Sequence, residues 1–437
     1  MNVLIVGSGA REHAIAKALK RSSHGVDLFC VGSSHNPGIV DLATGYHVDS
    51  TTDTNVIGQY GRDHKIDWAI IGPEAPLEAG VVDALATAGI PSVGPTKQCA
   101  QIETSKSFMR WLLSRHSIPG AAQFKSCSTI EAAREWINEL KGECVIKADG
   151  LMGGKGVRVS GDHFTTIDEA VAYSQECIAR DGRVLIEEKL IGQEFSLMSL
   201  CDGKHLAHFP LVQDHKRAFD GDTGSNTGGM GSYSDADFSL PFLTAEDIRQ
   251  ARYINEQTMT AIDQETGTQY KGILYGGFMA TADGVKLIEY NARFGDPESL
   301  NVLAILESDF VKLCQAVIAG TLSQDQLRMS QKATVCKYAV PKGYPDHPVK
   351  NQTIDVSTVK NPERVYYAAV DQKEDGSIVE LGSRAIAVVG IGNTISEAEQ
   401  AAEDEIGRIQ GPLFHRKDIG TAALVGQRVA MMRKLRP

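Results

Sequence analysis

The sequence predicts a multidomain protein of mixed α/β and α+β class. It divides into an N-terminal doubly wound parallel-sheet domain, a larger domain with antiparallel sheets, and a small C-terminal α+β domain. Length is the first ground for this, since 437 residues make about three domains at about 150 residues each. The second is that residues 1–100 alternate short apolar runs with amphipathic stretches, the pattern of βαβ units. The third is a change of rhythm after Gly142 to short strands and Asp-Gly turns, which mark hairpins.

Taken in order, Val3–Val6, Asp27–Val31, Asp67–Ile71 and Pro91–Val93 read as strands buried on both faces, as parallel strands are. Helical patterns lie between them at Glu12–Lys20 and Ala79–Ala88, and a longer one runs from Thr96 to about Arg115. Ile118-Pro119-Gly120 breaks the chain because proline cannot continue a helix. Cys144–Ala148, Val157–Ser160 and Arg183–Glu188 read as strands around a helix at Thr166–Ala179. Asp202-Gly203 and Asp283-Gly284 each turn a hairpin. Thr244 caps a further helix, with Glu246 and Asp247 in its first turn, where a hydroxyl and negative charge both suit the exposed amides. After Leu322, strands at Ala333–Val340, Val365–Ala369 and Ile386–Val389 with an acidic helix at Ile395–Ile409 form the last domain.

Composition removes several function classes. With 44 Lys+Arg against 55 Asp+Glu, the net charge of −11 argues against a nucleic-acid surface over most of the protein. No apolar run approaches the roughly 18 residues needed to cross a bilayer. Strand-like Asn2–Val6 follows Met1 directly, so no leader peptide is expected. The eight cysteines are scattered with no Cys-x-x-Cys pair, which points to reduced thiols in the cytoplasm and neither disulfides nor zinc. Glycine stands out, with 43 residues in the chain, against a typical ~7%.

Gly7-Ser8-Gly9-Ala10-Arg11-Glu12 follows the first strand and opens a helix, but Glu12 stands where the third glycine of a dinucleotide fingerprint belongs. Evidence for NAD is therefore weak, leaving a tight turn or a phosphate site for another ligand. Gly150–Gly156 has four glycines in seven residues. It is not a Walker A loop, since Asp149 and Gly156 occupy two of that motif's fixed positions and a strand follows. It reads as a hairpin with Lys147 on one arm and Lys155 near the tip, suited to phosphate oxygens; a plain surface hairpin is the alternative. In Ile288-Glu289-Tyr290-Asn291-Ala292-Arg293, alternation puts Glu289, Asn291 and Arg293 on one face. Carboxylate and amide oxygens are hard ligands for Mg²⁺, and the arginine can offset charge on a transferring phosphoryl group. Gly221–Gly231 holds five glycines around Asn226-Thr227, after Asp214-His215-Lys216-Arg217. It reads equally as a substrate-binding loop or as a disordered surface loop. His205 and His208 read as packed or solvated, not as metal ligands.

Together these features resemble the ATP-grasp superfamily and, within it, the phosphoribosylamine–glycine ligases. The phrases are Gly9-Ala10-Arg11-Glu12-His13-Ala14, Gly72-Pro73-Glu74-Ala75-Pro76-Leu77, Lys147-Ala148-Asp149-Gly150-Leu151, Gln213-Asp214-His215-Lys216-Arg217, Asn226-Thr227-Gly228-Gly229-Met230-Gly231, Arg293-Phe294-Gly295-Asp296-Pro297-Glu298 and His415-Arg416-Lys417-Asp418-Ile419-Gly420. They span essentially the whole chain. The resemblance implies a pre-ATP-grasp domain at 1–102, an ATP-grasp domain at 103–325 with a lid subdomain at about 121–191, and a C-terminal domain at 326–437. It implies ligation of glycine to 5-phosphoribosylamine through glycyl phosphate, with ATP and Mg²⁺ (or Mn²⁺), in purine synthesis. Lys106, Lys147, Gly153, Gly154 and Lys155 would meet the ATP phosphates; Glu187 and Leu190 the adenine; Glu194 the ribose. Glu289 and Asn291 would hold the metal. Gly9, Arg11, Pro73, Glu74, Asn226, Thr227, Gly228 and Gly229 would bind phosphoribosylamine. Asp214, Arg293, Asp296 and Pro297 would form the glycine and acyl-transfer region, and Arg293, Lys155 and Asp296 the catalytic set.

The partners implied are small molecules (ATP, glycine and 5-phosphoribosylamine), with no nucleic acid and no membrane, and a monomer or weak dimer in the cytoplasm. Two departures from the family pattern stand out. Ala10 replaces a glycine, and Ser299-Leu300 follows the Gly-Asp-Pro-Glu phrase where Leu should keep the packing. The Leu151-Met152-Gly153-Gly154 tip is similar to archaeal-type members. The alternatives are another ATP-grasp carboxylate–amine ligase and a non-catalytic nucleotide-binding paralogue.

Overall fold

The computed structural model of the protein describes residues 1–150 and 156–437. The N-terminal strands Asn2–Val6, Asp27–Gly32, Gly45–Val48, Trp68–Ile71 and Ser92–Val93 form one five-stranded sheet, paired parallel throughout. Asn2–Val6 is central, with Asp27–Gly32 on one side and Trp68–Ile71 on the other. The strand order thus reverses beside the first strand, at the kind of switch point where doubly wound sheets bind ligands. The edge strand Gly45–Val48 and the helix Thr54–Asp63 were not apparent in the sequence. The expected helix Ala79–Ala88 is two helices, Glu74–Ala79 and Val81–Thr87, divided by Gly80 in the left-handed region. The expected helix from Thr96 is likewise Gln101–Thr104 and Lys106–Arg115, divided at extended Ser105, whose hydroxyl caps the second by accepting from the Phe108 amide.

Next comes a small sheet of Phe124–Cys127, Val184–Glu188, Cys144–Ala148 and Val157–Val159, antiparallel throughout, with helices Ile130–Glu139 and Ile167–Asp181. It has a hydrophobic cluster of its own around Ile137, Ile146, Ala170 and Ile186. A second antiparallel sheet joins Leu206–His208, Gly192–Asp202, Lys271–Thr281 and Gly284–Asn291; its two hairpins turn at the expected Asp-Gly pairs. Thr244 caps the helix Ala245–Thr266, and the Asp247 side chain returns the bond to the Thr244 amide.

The C-terminal strands Ala333–Pro341, Ile386–Gly392 and Val365–Tyr367 extend a sheet that begins with Gln213–Asp214 and Gly231–Ser234. One sheet therefore runs from the last domain into the segment carrying Asp214. His13 docks this domain on the first: its ring stacks on Tyr367 and its Nδ1 accepts from the Tyr367 amide at 3.1 Å. Among the described residues no helix is long and apolar enough to cross a membrane, and all eight cysteines are buried and free.

Candidate functional site

The first part of the site is the switch point. Glu12 sits in the first turn of helix Ala10–Lys20 and folds back, accepting from the Gly9 amide and from Arg11 Nε, each at 2.6 Å. A Cβ on Gly72 would lie 2.0 Å from its carboxylate, so the glycines of the adjoining loops leave the space that this side chain fills. Arg11 Nη1 donates to the Phe294 carbonyl at 3.2 Å. This contact, with Glu74 3.4 Å from Arg293, brings Arg11 and Glu74 against the segment after strand Gly284–Asn291.

That strand carries a bulge. Leu287 pairs with Phe278 and Glu289 with Gly277, leaving Ile288 extra, an arrangement that re-aims the following side chains. The Leu287 and Ile288 carbonyls accept from Arg110 Nη2, each at 3.0 Å, and the Ile288 carbonyl also from Lys147 Nζ at 3.0 Å. Lys147 and Arg110 both pair with Glu187, Lys147 at 2.8 Å. Burial opposes the Glu187 charge, but Arg110 and then Lys147 outweigh it and hold the carboxyl down at about 2. The Glu187 side chain is therefore committed to protein partners, and its backbone lies in a strand paired on both sides, opposite Phe124 and Val145. Lys106 Nζ donates to the Gly150 carbonyl at 2.8 Å. Leu190 is half-buried in the connection between strands Val184–Glu188 and Gly192–Asp202.

Glu194, Asp214, Lys216, Tyr275 and Glu289 line one cleft between the strands. Lys216 Nζ lies 3.5 Å from Glu194 and 3.6 Å from Glu289. Burial disfavours the Glu289 charge; Lys216, Lys147, Lys106 and Arg293 together overcome this and keep its carboxyl below the usual range. Asp214 is pushed well above its usual range by burial and then by the Glu298 carboxylate. Among the described residues no group of three or more His, Cys, Asp or Glu side chains is arranged to hold a metal. Glu289 and Asn291 at the strand end supply one ionised carboxylate and one amide oxygen. That pair fits Mg²⁺, whose remaining ligands are commonly waters and substrate phosphates.

Arg293 Nη2 lies 3.1 Å from Glu103 and donates to Asn291 Oδ1 at 3.1 Å, and its Nη1 donates to the Phe294 carbonyl at 3.1 Å. Glu74 is 3.4 Å from Nε, which makes no hydrogen bond. On the far side, Asp296 accepts from Tyr338 Oη at 2.5 Å, and Arg384 Nη1 donates to the Gly228, Gly229 and Asp296 carbonyls at 2.7, 3.1 and 2.8 Å. A Cβ on Gly229 would meet Asp214 Oδ1 at 2.6 Å and Pro297 Cδ at 2.7 Å, so this loop closes directly on both. The Gly221–Gly231 stretch is largely ordered as a hairpin, with Arg217–Phe219 paired to Thr223–Asn226. Thr227 Oγ1 ties its end to the Lys216 carbonyl at 2.8 Å.

Gly153, Gly154 and Lys155 lie outside the described residues. Of the remaining site residues, Glu194, Asp214 and Glu289 share the cleft, Glu74 and Asn291 meet Arg293, Lys147 meets Glu187, and Gly229 lies against Asp214 and Pro297. Sequence reasoning missed Glu103, Arg110, Lys216 and Arg384. Lys216 alone carried a signal, through its place in the Asp-His-Lys-Arg phrase. Leu300 is fully buried, in line with the packing expected of it.

The sequence matches three family models: phosphoribosylglycinamide synthetase N domain over residues 1–103, its ATP-grasp (A) domain over 104–299 and its C domain over 334–422. A Methanosarcina barkeri protein named phosphoribosylamine–glycine ligase is 47% identical over 436 residues, covering 100% of both chains. One of the same name from Methanocaldococcus jannaschii is 46% identical over 445 residues, again covering 100% of both. Among solved structures, phosphoribosylamine–glycine ligase from Thermotoga maritima matches with a TM-score of 0.81 and 28% identity, over 96% of this chain and 100% of that one. The biotin carboxylase domain of a Hydrogenobacter thermophilus 2-oxoglutarate carboxylase shares the fold at a TM-score of 0.73 and 15% identity, over 99% of this chain and 93% of that one.

Proposed function

The chain belongs to the phosphoribosylglycinamide synthetase family, and from that membership we infer that it is an ATP-grasp ligase joining glycine to 5-phosphoribosylamine in purine synthesis. One observation carries the reading beyond membership: the cleft lined by Glu194, Lys216 and Glu289 also holds Asp214, against which the Gly229 loop closes. A nucleotide phosphate on the Glu289 side and an amine substrate on the Gly229 loop would face each other across Asp214.

A carboxylate is a poor acylating agent because its oxygen does not leave. Transfer of the γ-phosphoryl group of ATP to the glycine carboxylate releases ADP and gives glycyl phosphate. The ribosylamine nitrogen then attacks the carbonyl carbon, phosphate leaves and the nitrogen loses a proton. In this reading Lys106, Lys147 and Lys155 receive the ATP phosphates, the Glu187–Leu190 segment the adenine and Glu194 the ribose. Glu289 and Asn291 are the residues that would hold Mg²⁺ or Mn²⁺, whose contribution is to offset phosphate charge. Arg293 stabilises charge on the transferring group, while Asp214, Asp296 and Pro297 orient glycine. The switch-point residues Gly9, Arg11, Pro73 and Glu74 and the Asn226–Gly229 loop bind phosphoribosylamine. We take the domains as 1–102, 103–325 and 326–437. Buried, unpaired cysteines accord with a reducing, cytoplasmic setting.

The test is ADP release with phosphoribosylamine generated in situ, run with and without glycine. The expected signal depends on both substrates; its absence overturns the reading.

A further inference from the structure

We propose that Glu103 is a positioning residue that sets the Arg293 guanidinium for phosphoryl transfer; this rests on the function inferred above. Glu103 lies on the short helix Gln101–Thr104, just before Lys106. Its side chain is almost fully closed from solvent, so it does not reach a ligand in the cleft. One carboxylate oxygen accepts from the Ala292 amide at 2.6 Å and the other lies 3.1 Å from Arg293 Nη2. A single side chain thereby fixes both the backbone leading into Arg293 and the guanidinium itself. The other carboxylate near Arg293, Glu74, is about one-third exposed and 3.4 Å away, against 3.1 Å for the buried Glu103. The fixed partner is therefore Glu103, and the neutral acceptors Asn291 Oδ1 and the Phe294 carbonyl complete the cradle.

Burying a charged pair is costly unless the geometry is good and the remaining lone pairs are used, and here both Glu103 oxygens are used. Arginine presents a planar fork, so a carboxylate on one edge fixes the plane in which the opposite edge meets an incoming anion. Loss of that partner would leave the guanidinium in place but loosely aimed. Misplacement by about 1 Å can cost on the order of 100-fold in rate with little loss of binding.

The experiment is steady-state kinetics of Glu103→Gln, Glu103→Asp and Arg293→Lys, with the Glu103→Gln/Arg293→Lys double variant. Glu103→Gln is expected to lower kcat by about 10- to 100-fold while KM for ATP moves by less than about threefold. Glu103→Asp keeps the charge and recovers part of that kcat. In the Arg293→Lys background, Glu103→Gln costs under about threefold more, because the two act as one unit. An unchanged kcat, a KM rise equal to the kcat loss, or fully multiplicative effects would each overturn the proposal. Exchange of the two Arg293 Nη groups by rotation about the Nε–Cζ bond, followed by NMR, reads its fixation without turnover and is expected to quicken in either Glu103 variant; an unchanged exchange rate counts against the proposal. Wild-type protein lacking glycine-dependent ADP release would overturn the inferred function instead, and the exchange measurement would still decide the role of Glu103.

Discussion

Arg110 and Glu187 meet in a two-point ion pair, Nε to Oε1 at 2.6 Å and Nη2 to Oε2 at 2.9 Å, with both side chains almost fully buried. The pair joins helix Lys106–Arg115 to the small sheet, and the bonds from Arg110 to the Leu287 and Ile288 carbonyls join both to the second antiparallel sheet. Three bodies are pinned at one guanidinium. Arg110→Met leaves a buried carboxylate with only Lys147, and should cost about 3–5 kcal/mol in chemical denaturation. The pH dependence has a definite sign. The Glu187 pKa is lowered from 4.5 to about 2, so its stabilisation is present above about pH 4.5 and lost as pH falls toward 2. The variant should show a flatter decline in that window; the wild-type stability and slope retained would refute the assignment.

Glu289 is expected to be indispensable for turnover. The bulge at Ile288 aims it into the cleft, and its charge is maintained against burial by Lys216 and its neighbours. Glu289→Ala should lower kcat by at least about 100-fold, and Mn²⁺ titration in the presence of ADP should show weakened metal binding. Near-normal ADP release by this variant would remove the metal assignment.

Local periodicity made part of this site legible. Alternation alone puts Glu289 and Asn291 on one face of strand Gly284–Asn291, although Arg293, expected on the same face, lies in the bend past its end; the Asp202-Gly203 and Asp283-Gly284 hairpins are set by their own turn chemistry. The bulge was not legible, because it exists only in the register with Lys271–Thr281. Arg110 and Glu103 were missed for a related reason. Their partners, Glu187 and Arg293, are far along the chain, and a buried ion pair leaves no mark on either local sequence. Gly45–Val48 is a short, half-buried edge strand without the continuous apolar run of its neighbours, so tertiary pairing and not composition creates it. Which ligand each cleft residue meets came from the family phrases, since geometry alone supplies charges and distances.

Gly229 offers a steric test of the amine side of the cleft. Its φ is +111°, and an added Cβ would press on Asp214 and Pro297. Arg384 holds the loop from the other side through the Gly228 and Gly229 carbonyls, so the strain has little room to relax. Gly229→Ala should cost about 1–3 kcal/mol and lower kcat/KM for the amine substrate by about tenfold or more. The shift in Tm produced by ATP should stay as in the wild type. Gly182→Ala is the control: its φ is +75° at a helix end with nothing within 4 Å, so a cost of about 1 kcal/mol without a kinetic effect is expected.

Glu12→Gly restores the missing glycine of the dinucleotide fingerprint, and it should not confer NAD binding. In dinucleotide-binding folds an Asp or Glu after the second strand bonds the ribose; here strand Asp27–Gly32 ends in Gly32-Ser33. A Cβ at Gly32 would stand 2.6 Å from Ser8 Cβ, so the loop that would take the ribose is already packed against the first turn. Glu12 is also the ion partner of nearly buried Arg11, and removing it leaves a buried guanidinium with the Phe294 carbonyl as its hydrogen-bond acceptor. Stability should fall by about 3 kcal/mol and glycine-dependent ADP release should drop with it. Calorimetric titration should detect no NAD binding tighter than about 1 mM in either protein. Binding gained by the variant would mean that Glu12 alone bars the cofactor, whereas undiminished stability would mean that the Arg11–Glu12 pair does not hold the switch point together.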